Sequence, residues 1–198
     1  MNAKKCCYTI FSGGRKSGMR LDIRINDDPI PYNPNPIFLG VTFDEQLCFN
    51  AHYANLRTRA LKCLNIIKQF SHSSWRMDID TLINIYRALI SSVFDYSFFS
   101  VTSPSDTSLG LVQRVQNRAI RCIFRLEWDS PTHELPSISG IIPIRERLIQ
   151  LGSRYLLKCL VHKNPLIQIL LSEYYYSRNS LLAKNERQKM LLYNLFGR

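Results

Sequence analysis

Four arginines, Arg114, Arg118, Arg121 and Arg125, are spaced 4, 3 and 4 residues apart. On an α-helix, at about 100° per residue, they fall within about 60° of arc. Val112, Val115, Ala119 and Ile123 centre roughly 140° away on the same helix, so one side is suited to burial and the other carries guanidinium groups. Such a face fits phosphate oxygens, the chemistry of nucleic-acid backbone contacts. A solvated face, or one paired to Glu127 and Asp129, is the alternative reading. Arg57, Arg59, Lys62 and Lys68 form a looser set in which only Arg57 and Lys68 share a face, and they read as solvated.

Residue patterns for catalysis are weaker. Asp27-Asp28 sits between two short strands, as a carboxylate pair holding two metal ions would. Pro29 follows at once, however, and Asn26-Asp27-Asp28-Pro29 is ordinary turn chemistry. Six cysteines and four histidines show no paired metal-ligand spacing, Cys48-x-x-x-His52 being the nearest approach. Ser12-Gly13-Gly14 lacks the Lys-Ser/Thr of a phosphate loop, and no Gly-x-Ser-x-Gly elbow is present. Tyr174-Tyr175-Tyr176 could stack bases, but helix-end packing explains it as well.

The elements that must position these residues change character along the chain. With 198 residues, 45% of them hydrophobic, the chain suits one domain or one and a half with a real core. A net charge of +11 and a pI near 9.6 suit an anionic partner. No apolar run approaches the ~18 residues of a membrane span, and polar residues follow Met1 directly, so an intracellular protein without membrane contact is expected.

Residues 1–48 read as a β portion. Lys5–Phe11 is β-prone, Leu21, Ile23 and Ile25 alternate with polar residues, and Ile37–Phe43 reads as a last strand with Gly40 in its middle. From residue 49 to 198 the period is helical. Tyr53, Leu56, Ala60, Cys63, Leu64, Ile67 and Phe70 make one stripe. A second helix should start near Asp78 or Asp80 and bury Leu82, Tyr86, Leu89 and Val93. A third should span about 106–124, a fourth run from Pro143 to about 162, a fifth begin at Pro165, and a last one cover about 180–195. The fold class is α+β: a short antiparallel β portion followed by a helical one.

Five blocks in order carry a family resemblance. Asn2-Ala3-Lys4-Lys5, with Phe11, resembles the Asn-x-x-Lys strand of non-LTR reverse transcriptases. Phe38-Leu39-Gly40-Val41-Thr42-Phe43-Asp44, then Leu47-x-Phe49-x-x-His52, looks like their primer-grip hairpin and the entry to the thumb. Leu82-x-x-x-Tyr86-Arg87-Ala88-Leu89-Ile90, then Asp95-Tyr96, is similar to the thumb's second helix. Gln116-Asn117-Arg118-Ala119-Ile120-Arg121 and Ile142-Pro143-Ile144-Arg145-Glu146-Arg147 complete the set, with jockey-like lineages the nearest fit. Cys6, Ser97 and Val101 depart from the threonine, glycine and tryptophan common there.

The resemblance implies the end of a polymerase palm and its thumb. Phe38, Leu39 and Gly40 would press against a primer end, or serve as a core strand, or both. His52 reads as a packing or capping histidine. In that family the paired aspartates that hold magnesium lie before the Asn-x-x-Lys strand, so this chain is expected to need no cofactor of its own, to lack autonomous polymerisation, and at most to bind primer–template. Leu21, Ile23, Leu39 and Val41, without palm neighbours, are expected to favour self-association. The alternative is a host-adopted helical interaction protein without nucleic-acid function. Nuclear localisation follows if the chain acts as part of a mobile element.

Overall fold

A computed structural model describes residues 5–11, 20–72, 77–97 and 105–161, and five positions between 165 and 172. The expected helix over 180–195, most of the one expected from Pro165, and the tyrosine triplet lie outside the described residues. The architecture is α+β, with two small antiparallel hairpins leading into packed helices. Strand β1 (Arg24–Ile25) pairs with β2 (Asp28–Pro29), and β3 (Ile37–Phe38) with β4 (Val41–Thr42).

Both hairpins turn on two residues with positive φ, the geometry whose twist suits two-residue β-turns. In the first these are Asn26 (φ 48) and Asp27 (φ 66); in the second, Leu39 (φ 48) and Gly40 (φ 78). Gly40 is therefore a turn residue and not the middle of a strand, because a left-handed backbone is what glycine supplies without penalty. The strands expected over 21–26 and 37–43 are accordingly interrupted. Lys5–Phe11 contributes only a parallel bridge from Tyr8 to Tyr32, whose rings lie 5.4 Å apart.

Helix α1 (Asn50–Ser71) buries His52, Tyr53, Leu56, Ala60, Leu64 and Ile67, while Cys63 and Phe70, also in the stripe the sequence marks, are half-buried. Its entry is fixed by Asp44, whose carboxylate accepts the Cys48 amide at 2.7 Å and the Asn50 amide at 3.2 Å. Asp78 caps α2 (Ile79–Tyr86) by accepting the Thr81 amide at 2.9 Å. A π-turn (Arg87–Ser91) then joins α2 to α3 (Ser92–Asp95), with the Ser92 amide donating to the Arg87 carbonyl five residues back. The buried residues become Leu82, Tyr86, Ile90 and Phe94, a strict spacing of four. Leu89 and Val93, expected in the core from a 3.6 period, are only half-buried because the π-turn widens the repeat.

Helix α4 (Asp106–Phe124) starts at Ser105, whose hydroxyl accepts the Ser108 amide, and ends where Arg125 turns left-handed at φ 54. A short helix, α5 (Leu135–Ser139), has no counterpart in the sequence reading. It is stopped by Gly140 at φ 66. Helix α6 (Ile144–Val161) follows Pro143 as expected. One core joins β4 to the helices: Val41 and Phe49 pack with Tyr53, Leu56, Tyr86, Phe94, Leu109, Val112 and Leu148. Val41 is thus covered, against the expectation that the β portion would leave it bare. Ile23 is half-buried, and Leu21 (42% exposed) and Leu39 (72%) do remain outside.

Candidate nucleic-acid interface

The β3–β4 hairpin presents an apolar tip on a rigid base. Ile37, Phe38 and Leu39 are 71%, 65% and 72% exposed, so they are not core residues. Two residues below them, Val41 and Thr42 are buried. Leu39 holds a left-handed φ that costs a branched side chain about 1–2 kcal/mol. Such strain persists only where surroundings over-determine it. Here the Tyr96 hydroxyl donates to the Leu39 carbonyl at 2.7 Å from the far end of α3.

His52 fixes the hairpin's other side. Its Nδ1 accepts the Thr42 amide at 3.4 Å and its Nε2 lies 2.9 Å from the Ser97 hydroxyl oxygen. An Nδ1 that accepts cannot carry a proton, so the ring is neutral with hydrogen on Nε2, which donates to Ser97. Burial first, and then the Arg59 charge, hold the imidazole below its ordinary value, in keeping with that neutral form. The histidine is a packing residue, as read from its place at a helix start. Ser97 supplies the hydroxyl that His52 meets. Asn55 adds a bond from its amide to the Thr42 hydroxyl at 3.3 Å.

The arginine stripe divides. Arg114 and Arg118 are exposed on the outer face of α4. Arg121 is half-buried and donates to the Ser130 carbonyl at 2.7 Å and to Thr132 at 3.2 Å, with its Nε buried and unpartnered. Its work is to strap the following loop to the helix. Arg125 leaves the helix as its left-handed terminus and is exposed. Periodicity places the four on one face but is blind to the chain segment that returns over Arg121.

The remaining motif residues hold one another. Gln116 donates to the Ile142 carbonyl at 2.8 Å. Asn117 accepts from Gln113 at 2.9 Å, and Gln113 in turn accepts the Ile144 amide at 2.8 Å, capping α6. Arg147 grips Asp95 through two bonds of 3.1 and 2.8 Å, and Arg145 pairs with Asp106. That hydrogen bond to Asp95 raises the Arg147 pKa, while burial, followed by the Asp95 charge, raises that of Tyr86. The third, fourth and fifth resemblance blocks therefore meet as a packing arrangement. Tyr96 and Trp128, neither singled out for a role by the sequence, emerge as exposed aromatics at 55% and 85%.

Asp27 and Asp28 do not fit a two-metal centre. Asp27 occupies the hairpin turn, Asp28 its return strand, and both are exposed. Asp22, the nearest other carboxylate in sequence, is salt-bridged to Arg24 at 3.2 Å. Among the described residues, no group of three or more His, Cys, Asp or Glu is placed to hold a metal. No helix among them is long and apolar enough to cross a membrane.

A similarity is also detectable along the sequence: the chain resembles RNA-directed DNA polymerases of non-LTR mobile elements. It is 21% identical over 174 residues to the RNA-directed DNA polymerase from mobile element jockey of Drosophila melanogaster, covering 86% of this chain and 18% of that protein. It is 22% identical over 148 residues to a probable RNA-directed DNA polymerase from transposon X-element of the same organism, covering 75% of this chain and 16% of the relative. The chain thus spans less than a fifth of the length of these curated relatives. No protein-family model matches it, and no solved structure does.

Proposed function

We propose that this chain is the primer–template-holding, thumb-side part of a mobile-element RNA-directed DNA polymerase, and that its own residues supply binding and not phosphoryl transfer. The observation that carries this is the β3–β4 tip. Three consecutive large apolar residues are held in solvent on a strained turn, braced by Tyr96 and by His52. Apolar side chains exposed this way cost solubility and suit a surface that meets a partner. The tip offers sugar and base faces an apolar contact at the primer end, and Arg114 and Arg118 offer charge to the phosphate backbone. The similarity to the jockey and X-element polymerases supports the assignment of that partner as nucleic acid.

The test compares a duplex bearing a recessed 3′ end with a blunt one in a binding assay. Replacing Phe38 and Leu39 with serine should weaken binding to the recessed end by about three- to tenfold and leave the blunt duplex unchanged, since both side chains are already exposed and folding does not depend on them. Equal loss on both substrates, or none, rejects the primer-end role. In parallel, the chain should add no nucleotide to a primer with magnesium or manganese. Incorporation that disappears on Asp27→Asn/Asp28→Asn would show those turn residues to be ligands.

A further inference from the structure

Trp128 is 85% exposed, the highest of any large apolar side chain among the described residues. It is not on a slack loop. The turn that carries it is closed by the Ser130 amide and hydroxyl on the Glu127 carbonyl, at 3.2 and 2.8 Å. Arg121 straps that turn to α4 through the Ser130 carbonyl, and the Leu126 amide donates to the Arg121 carbonyl at 2.9 Å. An exposed indole carried on a backbone turn that is already fixed is an anchor whose base needs no ordering when a partner arrives.

Its surroundings select the partner's charge. Glu127 and Asp129 flank Trp128 and are exposed, and Glu134 lies in the same segment. In a chain with net charge +11, residues 125–134 carry these three acids against Arg125, with His133 beside Glu134 and the Arg121 guanidinium already committed to Ser130 and Thr132. The two carboxylates that flank the indole disfavour a phosphate there and favour a cation. A guanidinium face fits, because it can lie over an indole and pair with the flanking carboxylates at once.

Such a face exists on the same chain, in Arg114 and Arg118 on the outer side of α4. Among the described residues, neither Glu127 nor Asp129 forms an ion pair with them within one copy. We propose that a second copy of this chain is the partner, docked with its α4 antiparallel about a twofold axis, so that the Trp128 turn of each copy seats on the Arg114–Arg118 face of the other. The twofold repeats the contact and closes the assembly as a dimer. This inference does not rest on the nucleic-acid role. It does give Arg114 and Arg118 a second use, which a bound duplex would displace.

Sedimentation equilibrium across the micromolar range, at low and high salt, tests it. A dimer that weakens with salt is expected, and Trp128→Ala should weaken it by at least about tenfold, the loss typical of a central aromatic anchor. Charge reversal of the turn (Glu127→Arg/Asp129→Arg) and of the stripe (Arg114→Glu/Arg118→Glu) should each give monomers. Mixing the two variants should restore a heterodimer, because both of its contacts are then complementary. Circular dichroism of each variant checks folding, and the mixture provides its own control. A monomer at every concentration, or failure of the mixture to associate, overturns the proposal. So does association that survives these changes and is lost when Phe38 and Leu39 become serine, which would place the interface at the hairpin tip. Quenching of Trp128 emission by a single-stranded oligonucleotide, read against Trp128→Phe where the chain is monomeric, would assign the indole to nucleic acid instead.

Discussion

Replacing Arg114 and Arg118 together with glutamine should flatten the salt dependence of duplex binding by about two units. Each neutralised phosphate contributes roughly −0.9 to the slope of log affinity against log salt, so two exposed guanidinium groups account for about −1.8. From sequence spacing alone the stripe would contribute four contacts and a slope of about −3 to −4. The structure removes Arg121 from that count, because its guanidinium already donates to the Ser130 carbonyl and to Thr132. It also moves Arg125 off the helix face, at φ 54. Arg121→Gln should therefore behave differently from the double variant. It should leave the slope within about half a unit while lowering stability by about 1–2 kcal/mol, the cost of unmaking a charged hydrogen bond that holds a loop. Fluorescence anisotropy of a labelled duplex over a salt series reads the slope, and urea unfolding reads the stability. If the double variant keeps the wild-type slope, the two arginines are a solvated face. If Arg121→Gln flattens the slope by a full unit without loss of stability, the strap opens on binding and Arg121 is a third phosphate contact.

Three further outcomes follow from other contacts. His52 is neutral and buried, with its pKa held below its ordinary value of 6.5, so the unfolded chain takes up a proton before the folded one does. Stability should be full above about pH 6.5 and decline as pH falls below it. A urea midpoint that does not move between neutral pH and pH 5, or that moves equally in His52→Gln, contradicts this. Asp95→Asn should cost about 1 kcal/mol and no more, because the Arg147 and Asp95 side chains are 36% and 25% exposed and solvent screens the pair; thermal melts of the wild type and the variant decide it. Leu39→Gly should raise stability by up to about 1 kcal/mol by relieving a left-handed φ of 48, while weakening any hold on a primer end. Loss of stability would show instead that the exposed leucine side chain is supported by contacts.

What the sequence disclosed followed from how local the signal was. The span of α4 is legible because Ser105 and Asp106 start it, and the stripe of Val112, Val115, Ala119 and Ile123 continues without interruption. The α1 stripe is equally plain, and Pro143 marks the entry to α6. Two features escaped because they depend on non-local partners. No periodicity rule anticipates the π-turn, so Leu89 and Val93 were expected where Ile90 and Phe94 are buried. Nothing in the stretch 114–125 reveals that residues 126–134 return over Arg121. The candidate site divides similarly. The Phe38-Leu39-Gly40 block was visible by resemblance, whereas its brace from Tyr96 spans 57 residues and is visible only in the fold. The short α5 was missed because Leu135–Ser139 has only five residues and too little periodicity to read.

The π-turn at Arg87–Ser91 sets a rotational phase. Everything after it is turned about the helix axis by the equivalent of one extra residue, roughly 100°. That offset aims three successive side chains at three different clients: Asp95 at Arg147, Tyr96 at the Leu39 carbonyl and Ser97 at His52. Deleting a single residue within the turn would restore an unbroken α-helix of better local geometry. It would also swing all three away at once, removing the polar ties of this helix to the hairpin, to α1 and to α6 and leaving only apolar packing between them. A one-residue surplus in the helix is thus the gear that couples the exposed tip to the far side of the core.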